Sequence, residues 1–345
     1  MKKKFKLLSV ILSILMVLTL FTGCTKKEEA KVENKEKVKI RLNEVVRSIF
    51  YAPMYVAINK GLFAEEGLEI ELSTGQGADK TMQQVLSGNA EIGFSGPEQV
   101  IYIYNQGRQD YPVLFAQLTK TDGSFLVGRD ANPDFKWEDL KGKTIIGGRP
   151  GGVPEMTLEY VLRNHGLKLG EDVSVITNLA FTATAGAFSA GTGDYVASFE
   201  PTASILEKEK VGNIVASLGK ASGEMPYTCF FSTKSYMDKN PETIQKFTNA
   251  IYKGQLWVES HSAKEVAKAV VSFFPGSDIE LLTSVVERYR AQGSFAKDLT
   301  LQEPGLERLM DIIQSYKADL IPSRPPYDKI VTTKFAEEAE KQVKK

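Results

Sequence analysis

From residue 38 onward the apolar positions change their period every ten to fifteen residues. Positions 38–43 alternate apolar and polar, as a half-buried strand does. After Pro53, Met54, Val56, Ala57 and Ile58 cluster as on a helix that Gly61 ends. Alternation returns at 68–72, residues 78–86 place Met82, Val85 and Leu86 on one helical face ahead of Gly88, and 92–94 form a short third strand. A second block repeats the scheme. Its strands are predicted at 143–146, 173–177, 195–199 and 214–216, and its helices at 153–164 and 182–190. Beyond Pro241 the pattern is helical, with Ile244, Phe247, Ala250, Ile251, Gly254 and Val258 on one face and further helices at 263–273, 278–291 and 304–319.

Alternating strands and helices predict an α/β fold with largely parallel sheets. The chain beyond residue 37 is longer than one core usually organises, so two lobes are expected. Two extended segments, 113–127 and 216–232, are expected to cross between them. Residues 38–118 would begin lobe 1, 119–232 would form lobe 2, and 233–335 would return to lobe 1 and supply the C-terminal helices. A ligand would then lie between the lobes.

The N-terminus alters the picture of where the chain works. Four lysines precede an apolar run at 7–21, the layout of a secretory leader, too short for a stable transmembrane helix. Thr22-Gly23-Cys24 then resembles the lipobox at which a bacterial leader is cut, so 1–23 reads as signal peptide and Cys24 as the lipidated mature N-terminus. Residues 24–37, rich in Lys and Glu, are expected to be a flexible tether on the extracytoplasmic face of the membrane. The chain carries 43 basic and 43 acidic residues, and loss of the leader's lysines leaves it slightly acidic. Nucleic acid is therefore not an expected partner. Cys229 is the one other cysteine, which leaves no disulfide framework.

Four phrases carry a family resemblance: YAPMYVAINKGLFAEEGLEIEL at 51–72, LSGNAEIGFSGPE at 86–98, DLKGKTIIGGRPGGVPEMTLEYVL at 139–162 and GTGDYVASFEP at 191–201. In this order they resemble the nitrate/taurine/thiamine-precursor (SsuA/THI5-like, NMT1-like) group of ABC-transporter substrate-binding lipoproteins. The resemblance implies a type II periplasmic-binding-protein fold, two α/β lobes joined by two crossover segments, with a helical C-terminal part. It also implies a monomeric importer subunit that closes on a small-molecule ligand and docks on an ABC permease with its ATPase. No cofactor, metal or catalytic residue is implied.

In open α/β sheets ligands gather at the carboxyl ends of strands, where loops enter helix N-termini. That places Arg47, Phe50 and Tyr51 after the first strand, Gly77 after the second, Ser95, Gly96 and Glu98 after the third, and Arg149, Gly151 and Gly152 after the first strand of lobe 2. The Gly147–Gly152 run lets backbone approach a ligand and offers helix amides to an oxygen. It lacks the Lys-Ser/Thr of a nucleotide P-loop. Phe50 and Tyr51 could stack on a planar ring, and Tyr227, in the second crossover, could supply a face and a hydroxyl. In the pyrimidine-binding members that the chain resembles, an acid near Glu200 pairs with ring nitrogens or an amino group. A planar heterocycle is thus the first expectation and a sulfonate- or nitrate-type oxyanion the alternative, favoured by Arg47, Arg149 and the glycines.

Enzymatic readings have little to rest on. His165 and His261 are the only histidines, and neither has the sequence neighbours of a base or a metal ligand. The histidine and cysteine-rich segment of the THI5 enzymes has no counterpart. Cys229 as a thiaminase-like nucleophile is the remaining enzymatic alternative, and a ligand sensor without transport the remaining non-enzymatic one.

Overall fold

The computed structural model describes residues 37–343. The expected leader at 1–23, the lipidated Cys24 and nearly all of the tether lie outside them. Lobe 1 is built on β1 (Val38–Glu44), β2 (Leu68–Thr74), β3 (Ile92–Ser95) and β4 (Pro112–Thr119), with helices α1 (Ala52–Asn59), α2 (Ala78–Leu86) and α3 (Glu98–Asn105) between them. Lobe 2 is built on β5 (Ser124–Gly128), β6 (Thr144–Ile146), β7 (Ser174–Ile176), β8 (Tyr195–Phe199) and β9 (Asn213–Ser217), with α4 (Val153–Asn164), α5 (Thr184–Ser189) and α6 (Thr202–Lys208). A strand β10 (Thr228–Thr233) then returns to the first sheet. The C-terminal part is helical: α7 (Pro241–Ser260), α8 (Ala263–Val270), α9 (Ile279–Gln292), α10 (Glu303–Tyr316) and α11 (Lys334–Val343).

The two sheets have the same plan. Their orders are β2-β1-β3-β10-β4 and β7-β6-β8-β5-β9. In each, the fourth strand is antiparallel to its neighbours and is the strand delivered from the other lobe: β10 between β3 and β4, β5 between β8 and β9. The links therefore run from Thr119 to Ser124 and from Ser217 to Thr228, the second holding a short helix at Leu218–Ser222. The chain is back in lobe 1 by Thr228, a few residues before the boundary expected at 233, because β10 pairs with β3 and β4. The helix at 153–164 falls where the apolar period put it. Helices α3, α6 and α11 had not been anticipated.

A single glycine sets how closely the longest helix packs. α7 buries Ile244, Phe247, Ala250, Ile251 and Val258, and crosses α1 at Gly254. A Cβ at 254 would collide with the Pro53 carbonyl and sit 3.1 Å from the Ala57 methyl. Gly254→Val is expected to destabilise the protein by about 1–3 kcal/mol through overpacking. Urea unfolding measures it; an unchanged midpoint would show that the helices separate freely. Among the described residues no helix is long and apolar enough to cross a membrane.

Candidate functional site

The carboxyl ends of the parallel strands in both lobes face one another across a cleft of about 230 Å³. Lobe 1 contributes Val45 and Val46 after β1, Tyr51, the Gln76–Lys80 turn into α2, Gly96 and Glu98 before and on α3, and Tyr227 and Thr228 where the second crossover enters β10. Lobe 2 contributes Gly148, Arg149 and Gly152–Pro154 at the start of α4, residues 179–181, and Phe199 at the end of β8. The lobes touch at the cleft margin. Arg149 Nε lies 3.4 Å from Asp79 Oδ1, and the Tyr102 hydroxyl donates to the Gly151 carbonyl at 3.0 Å.

The wall is mostly apolar and in part aromatic. Phe181, Phe199 and Tyr227 follow one another with ring centroids 5.8 and 6.2 Å apart, and Tyr51 lines the same space. Set into this wall is the Glu98 carboxyl, 1% exposed. Its Oε1 accepts from Gln99 Nε2 at 3.2 Å, and its Oε2 has no partner. Gly96 makes room for it, since a Cβ there would strike Glu98 Oε2. Burial pushes the Glu98 carboxyl up to about 7, with Gln99 and Arg149 opposing. A buried carboxyl with an unused oxygen facing a cleft invites a hydrogen-bond donor.

Of the residues anticipated from sequence, Tyr51, Gly77, Gly96, Glu98, Arg149, Gly152 and Tyr227 meet in this cleft. Arg47 does not. Glu44 is fully buried at the end of β1, and Arg47 Nε pairs with its Oε1 at 2.7 Å while the guanidinium lies over Tyr55 and Phe273. Phe50 is core, 0% exposed, packed between Tyr289, Phe199 and Tyr227 and pressed on Gly123. Ser95 is buried, its hydroxyl donating to the Gly96 carbonyl, and Gly151, at φ +71°, turns the loop behind the wall.

Glu200 also points away. Its oxygens accept from the Ser204 amide and hydroxyl at 2.9 and 2.8 Å and pair with Arg288 of α9, so it ties the start of α6 to the C-terminal helices. Burial pushes the Glu200 carboxyl above the ordinary carboxylate range, and Arg288 opposes the rise. The buried carboxyl that lines the cleft is Glu98, in the other lobe. Phe199, Phe181, Val45, Val46 and Asp79 were missed, although Phe199 ends an anticipated strand and so had a positional signal.

Among the described residues no group of three His, Cys, Asp or Glu side chains is placed to hold a metal. His165 stacks on Trp137 and His261 on Trp257. Cys229 is buried in β10, and burial holds its thiol well above the ordinary range.

Two lobes with one exchanged strand each, and a cleft at their strand ends, define a type II periplasmic-binding-protein fold. The chain belongs to the NMT1/THI5-like family, whose profile matches residues 49–264. It is 46% identical over 299 residues to the "Putative binding protein YtlA" of Bacillus subtilis (strain 168), covering 87% of this chain and 89% of that protein. The formylaminopyrimidine-binding protein of Halalkalibacterium halodurans is 26% identical over 266 residues, 74% of this chain and 75% of that one. Among solved structures, the alkanesulfonate-binding protein SsuA of Xanthomonas axonopodis pv. citri bound to MOPS superposes with a TM-score of 0.66 at 18% identity. The match covers 86% of this chain and 99% of that one.

Proposed function

We propose that the chain is the solute-binding subunit of a bacterial ABC importer, and that its solute is a small planar heterocycle bearing an amino group, of the pyrimidine type. The lobes close on it by bending at the two crossovers, and the complex docks on a permease with its ATPase. Cys24 carries the lipid that holds the mature protein at the extracytoplasmic face of the membrane. The solute is released unchanged.

The observation that carries the ligand class is Glu98 Oε2, a buried acceptor without a partner in an aromatic-walled cleft. An amino group satisfies it, and the rings of Tyr51, Phe199 and Tyr227 offer faces to a planar body. The formylaminopyrimidine-binding relative supports the same class. An oxyanion is the second reading, favoured by Lys80, Arg149 and the N-termini of α2 and α4 at the cleft. Two features weigh against it. Arg149 is already paired with Asp79, and a sulfonate or nitrate would sit close to Glu98.

A thermal-shift screen over aminopyrimidines, alkanesulfonates and nitrate, followed by calorimetry, tests the proposal. A true ligand at 100 times its Kd adds about 2.7 kcal/mol of stability. Glu98→Gln is expected to weaken the aminopyrimidine by about ten- to a hundredfold while leaving the protein folded. Stabilisation by sulfonate or nitrate alone would overturn the heterocycle assignment.

A further inference from the structure

Beneath the cleft the two crossovers meet at a pair of polar side chains that these ligand contacts leave unexplained. Asp122, on the link from β4 to β5, is fully buried. Its Oδ1 accepts from the Ser124 amide and hydroxyl at 2.6 and 2.5 Å, which fixes the carboxyl in place. Gln292 Nε2 donates to the Asp122 backbone carbonyl at 2.7 Å, and Gly219 packs so closely on that carbonyl that no side chain would fit there. Asp122 Oδ2 has no partner of ordinary geometry. Neither has the hydroxyl of Tyr227, on the other crossover, although Tyr227 is 4% exposed and lines the cleft.

These two groups act on one another. Burial makes each hold its proton more tightly, the Tyr227 hydroxyl favours the Asp122 carboxylate, and the Asp122 charge opposes ionisation of the phenol. A phenol has one proton to give and a carboxylate can only accept, so the direction of any bond between them is settled by chemistry. A short bond here would satisfy two buried groups at once. It would also commit the phenol proton, so that the lone pairs of the oxygen are what remains for a ligand.

Resting on the reading of this cleft as the solute site, we infer that Asp122 is a positioning residue for solute recognition. It accepts a hydrogen bond from the Tyr227 hydroxyl, which keeps its proton, and so leaves the phenol oxygen to the solute as an acceptor. Together with Glu98 Oε2 the cleft then presents two acceptors, and it selects a solute edge that carries N–H donors over one that carries carbonyl oxygens. Specificity of this kind arises because the wrong edge leaves buried acceptors unpaired.

The bond itself can be tested without any ligand. With 13Cζ-labelled tyrosine, Tyr227→Phe assigns the Tyr227 resonance, and Asp122→Asn is expected to move that resonance while leaving distant tyrosines in place. In Tyr227→Phe the Asp122 carboxyl is expected to titrate at higher pH, because its charged form has lost a donor. An unmoved resonance in folded Asp122→Asn overturns the inference. Should that variant not fold, an unmoved Asp122 titration in Tyr227→Phe overturns it instead.

Selectivity is the second arm. Wild type is expected to prefer 4-aminopyrimidine over pyrimidin-4-one. Asp122→Asn and Tyr227→Phe should each lower that preference about tenfold, and the double variant should add little further. Equal weakening of both compounds by Asp122→Asn would mark a merely structural role and overturn the inference. If wild type binds neither compound, the ligand assignment fails while the resonance experiment still judges the pair.

Discussion

The ligand-free protein is expected to melt at a higher temperature at pH 5 than at pH 8. Five buried carboxyls, Glu44, Glu98, Asp122, Glu155 and Glu200, are pushed above their ordinary range, chiefly by burial: Asp122 to about 6, Glu98 to about 7 and Glu155 to about 8, the last with Glu159 adding repulsion. The folded state therefore holds protons that the unfolded chain has already released. Stability falls as pH rises through the interval from about 4 to 8, and the full penalty is present above it. One unit corresponds to about 1.4 kcal/mol, so Glu98 alone accounts for about 3 kcal/mol. The carboxylates whose acidity is strengthened, among them Glu91 and Asp278, lose their contribution only as pH drops below the usual carboxylate range, outside this window. Glu98→Gln should flatten the profile and exceed wild type in melting temperature above pH 7. A wild-type melting temperature that climbed from pH 5 to pH 8 would contradict the assignment of these groups as protonated.

Arg288→Met is expected to destabilise the protein by about 2–4 kcal/mol and to leave the solute affinity of the folded molecules unchanged. Glu200 is 1% exposed, and removing its cation leaves a carboxylate in the interior with only Ser204 to stabilise it. Arg288 is itself partly solvated, which lowers the figure below that of a wholly buried pair. Its other amino group pairs with Glu207 at 3.1 Å, so the change also loosens α9 from α6. Chemical denaturation with calorimetry on the same samples separates the two effects. Loss of affinity at full stability would return Glu200 to the cleft.

Glu200 shows where the sequence stopped being informative. Its position at a strand's carboxyl end was correct, but strand ends carry residues that point to either side of the loop, and the partner that decides the matter is 88 residues away on α9. Phe50 and Arg47 fail in the same way. Each occupies the right loop, and each is drawn inward or sideways by Tyr289 or Glu44, contacts that no local pattern encodes. The fold was more legible because period and glycine placement are local quantities: β8 and α4 lie at the residues the pattern indicated. The exchanged strands were legible as extended segments only, since their pairing depends on the opposite lobe. Phe181 and Val45 had no periodic signal at all.

The contact between Arg149 and Asp79 bears on how fast a solute is taken up. The pair is more than 40% exposed on both sides, so its strength is subject to screening by dissolved ions. A latch of this kind adds little to the final affinity, and where it spans the route into the cleft it must part before a solute enters or leaves. Higher ionic strength is then expected to quicken capture and discharge together while the equilibrium between them stays nearly still.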